Sequence, residues 1–381
     1  MFNLGFETIA NATLVAHDKV PVLVTDPWVR GSAYFGSWTL SHEVPAPQME
    51  AILKAKYVWF SHGHPDHLNG ESLDLFRNHT VLLPDHVGSR ILNDLTAQGF
   101  KTQVLKDNVW VSLSERIRVL CIADYNQDAI LLVEIGKKHL VVNLNDAYDR
   151  GWADPVRKMI KNYPKSFMLA LSGFGDAYMM NYFDEKGGRI LPPAAKKAAV
   201  GEQIARATQS FGVTHFVPFS SMHKYQRTDS AWANEYTTSL DDYGVGFESS
   251  TSELLPAYVR YDCEADSYER IQPPEAPSTL LKPEDFGDNW GDALEQEDFK
   301  KVAQYFRSIE HLDTFLDHVN FRVGGKDNVI EFKRRGFNRG VTFEAPRGSL
   351  MTAVGYEVFD DLLICNFVKA TLHGKWPQTR L

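Results

Sequence analysis

The sequence predicts an α/β fold in which two β-sheets pack face to face and helices cover their outer faces. Three observations lead to this prediction. Short apolar segments alternate with segments of helical periodicity, several strands are joined by tight turns, and a histidine-rich cluster follows a buried strand. The chain of 381 residues is 44% hydrophobic and 23% charged, so it can bury a large core without disulfides.

The first predicted elements are two strands within residues 11–26, joined at Asp18-Lys19. The second strand ends before Pro27, because proline cannot continue a strand ladder. A helix is predicted over 48–56, and the all-apolar strand 57–60 follows it. The next predicted elements are helices over 70–76, 87–98, 154–163 and 192–211, and strands over 81–83, 116–122, 129–135, 139–144, 167–171 and 213–218.

The composition changes at residues 271–278, where three prolines in eight residues predict a linker or a surface arm. We therefore expect a large domain over 1–270, a linker or arm over 271–283 and a small α+β region over 284–381. The last region is predicted to contain a helix over 297–309 and strands near 328–333 and 362–368.

Charge and cysteine content limit the classes of partner. The net charge of −9 counts against a nucleic-acid partner. Cys121, Cys263 and Cys365 show no metal-site spacing, and so sparse a set argues against a disulfide framework. No apolar run approaches the roughly 18 residues of a membrane span. We expect a soluble, cytoplasmic protein without a membrane partner.

The segment Ser61-His62-Gly63-His64-Pro65-Asp66-His67 follows the strand 57–60 directly. It places four metal donors, His62, His64, Asp66 and His67, within six residues. Imidazole suits zinc or iron, and a carboxylate adds a hard oxygen ligand. A solvated loop with chance histidines would not produce such clustering, so the segment predicts a metal site.

The pattern His-x-His-x-Asp-His after a hydrophobic strand resembles the signature of the metallo-β-lactamase superfamily. This resemblance implies an αββα sandwich, here with a small α+β carboxyl-terminal extension. It also implies two metal ions. His62 and His64 would hold one ion, and Asp66 with His67 would hold the other.

The same resemblance implies three later ligands, each at a strand end. Asp124 stands where most members carry histidine, although Asp128 could instead be the residue at that turn. Asp146 is the expected bridging carboxylate, against the alternative of a helix cap. His223 is the expected last histidine, whereas His215 lies inside a strand and is expected to be a core residue.

An aspartate at position 124 changes the expected metal. Asp66, Asp124 and Asp146 together with a bridging hydroxide neutralise two divalent ions, which makes burial of the site tolerable. A carboxylate in place of imidazole shifts the preference from zinc toward iron or manganese. We expect two metal ions, with iron preferred and zinc or manganese as alternatives.

Further segments resemble the cytidine-monophosphate N-acetylneuraminate hydroxylase-like branch of the superfamily. They are residues 26–28, 36–43, the histidine cluster, 217–219 and 344–372. Those hydroxylases carry an amino-terminal Rieske iron–sulfur domain, which needs paired Cys and His ligands. The three cysteines cannot build such a centre, so the sequence predicts a diiron site without a Rieske domain.

Two activities agree with these residues. In a hydrolase, a metal-bridging hydroxide attacks an acyl carbonyl, a thioester being one candidate, with Asp66 orienting the nucleophile or accepting a proton. In a diiron oxygenase, a separate reductase supplies electrons for hydroxylation of a small molecule. Hydrolysis is favoured because it needs no electron donor. A non-catalytic metal-binding protein is the third reading, and the complete donor set counts against it.

The substrate, expected to be a small molecule, is less well indicated. Tyr178 lies in a glycine- and aromatic-rich segment that could form a pocket wall or an ordinary loop. Tyr225 and Arg227 follow His223 closely and could bind an anionic group, or belong to a solvated loop. Asp26 could orient a ligand histidine from outside the metal site, or be a turn residue before proline.

Overall fold

The computed structural model describes residues 3–125, 127–149, 151–175, 179–332, 336 and 338–376. Its strands are β1 Leu4–Ile9, β2 Thr13–Asp18, β3 Val20–Thr25, β4 Trp38–Leu40, β5 Tyr57–Trp59, β6 Thr80–Pro84, β7 Lys101–Leu105, β8 Val111–Ser112, β9 Ile117–Ala123, β10 Ala129–Ile135, β11 His139–Asn145, β12 Lys165–Ala170, β13 Tyr182–Phe183, β14 His215–Pro218, β15 His223–Tyr225, β16 Glu253–Leu254, β17 Val259–Asp262, β18 Ser267–Arg270, β19 His318–Val323, β20 Lys326–Glu331, β21 Gly340–Glu344 and β22 Lys369–His373. Its α-helices are α1 Ala46–Lys54, α2 Gly70–Leu73, α3 Arg90–Ala97, α4 Ala153–Ile160, α5 Val200–Phe211, α6 Gln296–Ser308, α7 Leu312–Phe315, α8 Arg347–Tyr356 and α9 Phe359–Ile364.

Two large sheets form the centre of the molecule. The first has the strand order β18-β17-β1-β2-β3-β5-β6-β7, and the second has the order β16-β14-β12-β11-β10-β9-β8. β3, β5, β6 and β7 run parallel in the first sheet, as do β11, β12, β14 and β16 in the second. The loops after β5, β9, β11 and β14 carry the residues predicted to bind metal, and the loop after β3 carries Asp26.

Alternating residues of the strands belong to different cores. Trp59 of β5 and Leu131 of β10 lie in a buried cluster shared by the two sheets, whereas Val58 and Leu132 lie in a cluster that also contains helix residues such as Ile52. Each sheet therefore has one face toward the other sheet and one face toward helices. The fold is an αββα sandwich, as the sequence predicts.

A third sheet, with the order β13-β22-β21-β19-β20, forms the centre of the carboxyl-terminal region. Its core cluster includes Phe321 and Leu362 and also Trp28, Trp38 and Tyr225 from the amino-terminal part. β13 precedes residue 284 in the chain yet pairs with β22. The division at residues 271–283 stays a prediction, and the two parts share a core. Among the described residues, no helix combines the length and apolarity needed to cross a bilayer.

Two predicted elements are wrong. The helix over 192–211 is a short 3₁₀ turn at Pro193–Lys196 followed by α5, because Lys197 adopts a left-handed backbone (φ 49°) that interrupts the helix. The strand over 362–368 is instead the end of α9 and a turn at Asn366 (φ 63°), and β22 begins after it at Lys369. Apolar runs this short do not separate strand from helix by periodicity.

Candidate metal centre

The histidine cluster lies in the turn that follows β5, at the edge where the sheets' parallel strands end. The turn is held to the end of β3, because the backbone N–H of Ser61 donates to Asp26 Oδ1 at 2.7 Å. His67 N and Leu68 N both donate to the carbonyl of His64, which closes the turn. The cluster is therefore fixed by backbone hydrogen bonds.

One group of donors consists of His62, His64 and Asp146. His62 Nε2 lies 2.8 Å from His64 Nδ1. Each of the three residues offers one ligand atom, and these atoms all lie within 4.8 Å of one another. Asp146 follows β11, so the structure brings together residues that are distant in sequence, as predicted.

A second group of donors consists of Asp66, His67 and again Asp146. His67 Nε2 lies 3.6 Å from Asp66 Oδ2 and 3.5 Å from Asp146 Oδ2. Burial opposes ionisation of Asp146, but His67 lowers the pKa of that carboxyl below its ordinary range. Asp146 thus contacts both groups, which is the position expected of a bridging carboxylate.

His223 begins β15, which pairs with β4. Its ring stacks on Trp38 with a centroid distance of 3.4 Å and an interplanar angle of 3°. The side chain is buried, and neither ring nitrogen has a hydrogen-bond partner among the described residues. The strained turn before it includes Ser221, whose φ is 68°. A buried imidazole without partners is costly unless it binds something else.

Asp124 and Asp128 close the turn between β9 and β10. Asp124 N donates to the carbonyl of Asp128 at 2.8 Å, and Asp128 N donates to Asp124 Oδ1 at 3.0 Å. Asp128 Oδ1 lies 3.3 Å from His62 Nδ1, and burial raises the pKa of Asp128 to about 8. The carboxyl of Asp128 thus contacts a cluster histidine, and ligation by Asp124 stays a prediction.

Polar groups also contact the nitrogens that face away from the donors. Ser61 Oγ lies 2.9 Å from His62 Nδ1 and 3.3 Å from His67 Nδ1. Asp26 Oδ2 lies 3.2 Å from His67 Nδ1. A carboxylate on the far nitrogen fixes the tautomer and the ring orientation of a metal-binding histidine. The structure thus places the Asp26 carboxyl against the far nitrogen of a cluster histidine.

Asp66 is held by two side chains that sequence reasoning missed. Tyr34 Oη donates to Asp66 Oδ1 at 2.7 Å, and Asn11 Nδ2 donates to Asp66 Oδ2 at 3.1 Å. Asn11 Oδ1 also accepts from Met222 N at 2.9 Å, so one asparagine joins Asp66 to the segment before His223. Burial raises the pKa of Tyr34 well above its ordinary value, and the hydroxyl stays a donor.

The expected substrate residues have other roles or lie elsewhere. Arg227 is fully buried and donates to Asp229, Asp288 and the carbonyl of Phe35, so the expectation that it binds an anionic substrate is wrong. Tyr225 is buried, and its hydroxyl donates to the Gly175 carbonyl at 2.7 Å. Its ring packs edge-on against His223 and supports that ligand position. Tyr178 lies outside the described residues.

Burial and charge set the protonation of the chain without metal. Burial lowers the pKa of His223 to about 3 and that of His62 well below its ordinary value. Burial also acts to lower the pKa of His67, but Asp66 and Asp146 raise it well above the ordinary value. His62 and His223 are therefore neutral without metal, whereas His67 carries a proton that a bound metal ion would have to replace.

The donor set fits two metal ions. His67 Nε2 and both nitrogens of His223 are buried without hydrogen-bond partners in the described part of the chain, and Asp146 contacts both donor groups. Imidazole and carboxylate together suit iron, zinc or manganese. Sequence reasoning missed Asn11 and Tyr34, and also Asp360 and Asp361, whose ligand atoms lie with one of His64 within 4.8 Å of one another. Nothing in their local pattern distinguishes these four from ordinary polar residues.

Comparison with known proteins supports the resemblance. No protein-family model matches the chain. It is 29% identical over 134 residues to the cytidine monophosphate-N-acetylneuraminic acid hydroxylase of Asterias rubens, a match over 33% of this chain and 20% of that protein. It is 28% identical over 133 residues to the Homo sapiens protein described as an inactive form, over 32% of this chain and 26% of that protein. The matches thus span 26% of these relatives' length or less, and they confirm the predicted resemblance.

Two solved structures are similar. One is Igni18, a metallo hydrolase from Ignicoccus hospitalis. The match covers 71% of this chain and 96% of the Igni18 chain, with 15% sequence identity and a TM-score of 0.41. The other is CmlA, a diiron β-hydroxylase from Streptomyces venezuelae. The match covers 71% of this chain and 55% of the CmlA chain, with 14% sequence identity and a TM-score of 0.43.

Proposed function

We propose that this protein is a dinuclear-metal hydrolase that attacks an acyl carbonyl, with acyl thioesters as the substrate class. The observation that carries the proposal is the position of Asp146 between two groups of donors, one containing His62 and His64 and the other containing Asp66 and His67. A purely structural zinc site is usually closed by Cys and His, and the cysteines here are not part of the site.

The residues divide into two ligand sets. His62 and His64 would hold one ion, Asp66, His67 and His223 the other, and Asp146 both; Asp124 is the further ligand that the resemblance implies. Bound metal ions of this kind supply an acidified water at neutral pH and polarise the carbonyl under attack. The carboxylate content favours iron over zinc.

The chain's own residues position and deprotonate the nucleophile. Tyr34 and Asn11 hold Asp66 with its Oδ2 toward the side of His67 that faces the donors. We assign proton acceptance to Asp66 Oδ2. Trp38, stacked on His223, excludes water from that side of the centre. None of these roles needs an electron donor, which is why hydrolysis is favoured.

A cavity beside Asp146 supports an acyl substrate. Its volume is about 530 Å³, and apolar side chains of Leu171, Phe174, Ile204 and Phe216 contribute to its lining. Pockets of this size suit small molecules, and apolar walls suit a hydrocarbon group. We place the acyl chain here, with its carbonyl toward Asp146.

The second candidate is a diiron hydroxylase of a small molecule, with electrons from a separate reductase. The sequence similarity to N-acetylneuraminic acid hydroxylases favours it. Because the matches span only part of those relatives, their activity is not transferred to this chain.

Two measurements test the proposal. Elemental analysis of protein purified without added metal should find about two metal ions per chain. Under strict anaerobiosis and without reductant, a panel of acyl thioesters should release free thiol, which a thiol reagent detects against low background because all three cysteines are buried. An absolute requirement for oxygen would refute hydrolysis and favour the second candidate.

A further inference from the structure

The carboxyl-terminal region reaches the metal centre through the first turn of α9. Asp360 Oδ2 lies 3.6 Å from His64 Nε2, and Asp361 Oδ1 lies 3.9 Å from the same nitrogen. Asp361 is largely buried, with 13% of its side chain exposed, whereas the side chain of Asp360 is 71% exposed. Two carboxylates from beyond residue 284 therefore face one predicted metal ligand.

The orientation of the His64 ring makes these contacts informative. His64 Nδ1 lies 2.8 Å from His62 Nε2 and faces the donors, so Nε2 is the nitrogen that faces away from them. Asp26 contacts the far nitrogen of His67, and Asp128 contacts that of His62. All three cluster histidines thus have a carboxylate on the nitrogen opposite the donors.

The end of α9 is attached to the elements that carry His223. Ser37 Oγ donates to the carbonyl of Cys365 at 2.6 Å, and Asn366 Nδ2 donates to Tyr225 Oη at 2.7 Å. The guanidinium of Arg227 lies 3.7 Å from the centroid of the Phe367 ring. These contacts hold the helix against β4 and β15, so its position relative to the metal centre is set by the fold.

We propose that Asp361, with Asp360, is a positioning residue that holds His64 with Nδ1 toward the metal. Carboxylates 3.6 and 3.9 Å from Nε2 favour a proton on that nitrogen by their charge, and this leaves the lone pair on Nδ1. The carboxyl-terminal region is then a component of the metal centre. The inference rests on the proposed dinuclear site, because it concerns one of that site's ligands.

Titration of the full-length protein with Co²⁺ tests the inference. The wild type should bind two Co²⁺ ions and develop visible absorption from both. The double variant Asp360→Asn, Asp361→Asn should retain one ion at wild-type affinity and bind the other 10–100-fold more weakly, with loss of part of the visible spectrum. A second double variant, Asp360→Asn with Asp361→Glu, keeps a carboxylate at position 361 and should recover part of the lost affinity.

Glu310→Gln is the matched control, because Glu310 lies in the same region with 91% of its side chain exposed. It should leave both affinities and the spectrum unchanged. Thermal unfolding without metal should be similar for the control and the double variant, which separates positioning from misfolding. Two ions bound at wild-type affinity by the double variant would overturn the inference and leave the dinuclear site standing. Fewer than two ions in the wild type would overturn both.

Discussion

Replacing Arg227 with methionine removes a buried charge that joins the two parts of the molecule. The guanidinium donates to both oxygens of Asp229 at 3.0 and 2.9 Å and to Asp288 Oδ2 at 2.8 Å. Asp288 is 2% exposed and also accepts from the backbone and hydroxyl of Ser349. Arg227→Met would leave Asp288 as a buried charge without its cation, while the methionine keeps much of the volume.

Removing one partner of a buried ion pair costs about 3–5 kcal/mol, because the other charge stays desolvated. We expect Arg227→Met to lower the free energy of unfolding by that amount, measured by denaturant titration. Arg77→Met is the matched control, since Arg77 also pairs with a carboxylate, Asp74, and lies 4.8 Å from a ring. Because that pair is about half exposed, Arg77→Met should lower the free energy of unfolding by about 1 kcal/mol or less.

A loss below about 1 kcal/mol for Arg227→Met, equal to that of the control, would refute this structural role. An unchanged stability with a raised KM would instead restore Arg227 as a substrate-binding residue. The two readings predict opposite combinations of stability and kinetics, so both quantities are to be measured on the same preparation.

Three further changes test other parts of the structure. Asp26→Asn should weaken metal binding about 10–100-fold in chelator competition, because the far nitrogen of His67 loses its carboxylate. Asp124→Ala should remove one metal by elemental analysis; loss with Asp128→Ala alone would transfer the ligand role to Asp128. Glu7 has a pKa lowered from 4.5 to about 2, since burial is outweighed by His17 and other partners. The ionised carboxylate therefore contributes about 3 kcal/mol to the free energy of unfolding above the pKa of the unfolded chain, and this contribution is lost as the pH falls toward 2. In Glu7→Gln the free energy of unfolding should depend less on pH between pH 5 and 2.

Strands with strong apolar patterns could be predicted from sequence with near-correct bounds. Two apolar runs around Gly136, which has a φ of 62°, predict the hairpin of β10 and β11. α5 and α9 were predicted wrongly, because left-handed residues at Lys197 and Asn366 interrupt patterns that read as continuous. Such breaks depend on tertiary contacts, which local propensity does not contain.

The donors could be predicted because metal chemistry restricts which side chains serve. His62 and Asp146 were found from residue type and from their positions after strands. Tyr34, Asn11 and Asp361 could not be found in the same way, because a tyrosine, asparagine or aspartate that positions a ligand looks like any other in one sequence. Their roles follow from contacts between elements far apart in the chain.

Buried residues with a left-handed backbone are concentrated around the candidate metal centre. The buried non-glycine residues with left-handed φ all lie around the site or on the segments that hold it: Ala10, Ala12, Asp26, Tyr34, Asn145, Ser221 and Asn366. Other residues of this kind, such as Lys137 and Asp266, are on exposed turns. A left-handed conformation costs such residues on the order of 1 kcal/mol each. The side chain of Asn145 accepts from Asp146 N at 2.6 Å and donates to the Ala129 carbonyl at 2.8 Å. Its strained backbone therefore accompanies contacts that fix the position of Asp146. Selection for stability alone would have relaxed these positions, whereas a centre that must hold its carboxylates and imidazoles in place would retain them.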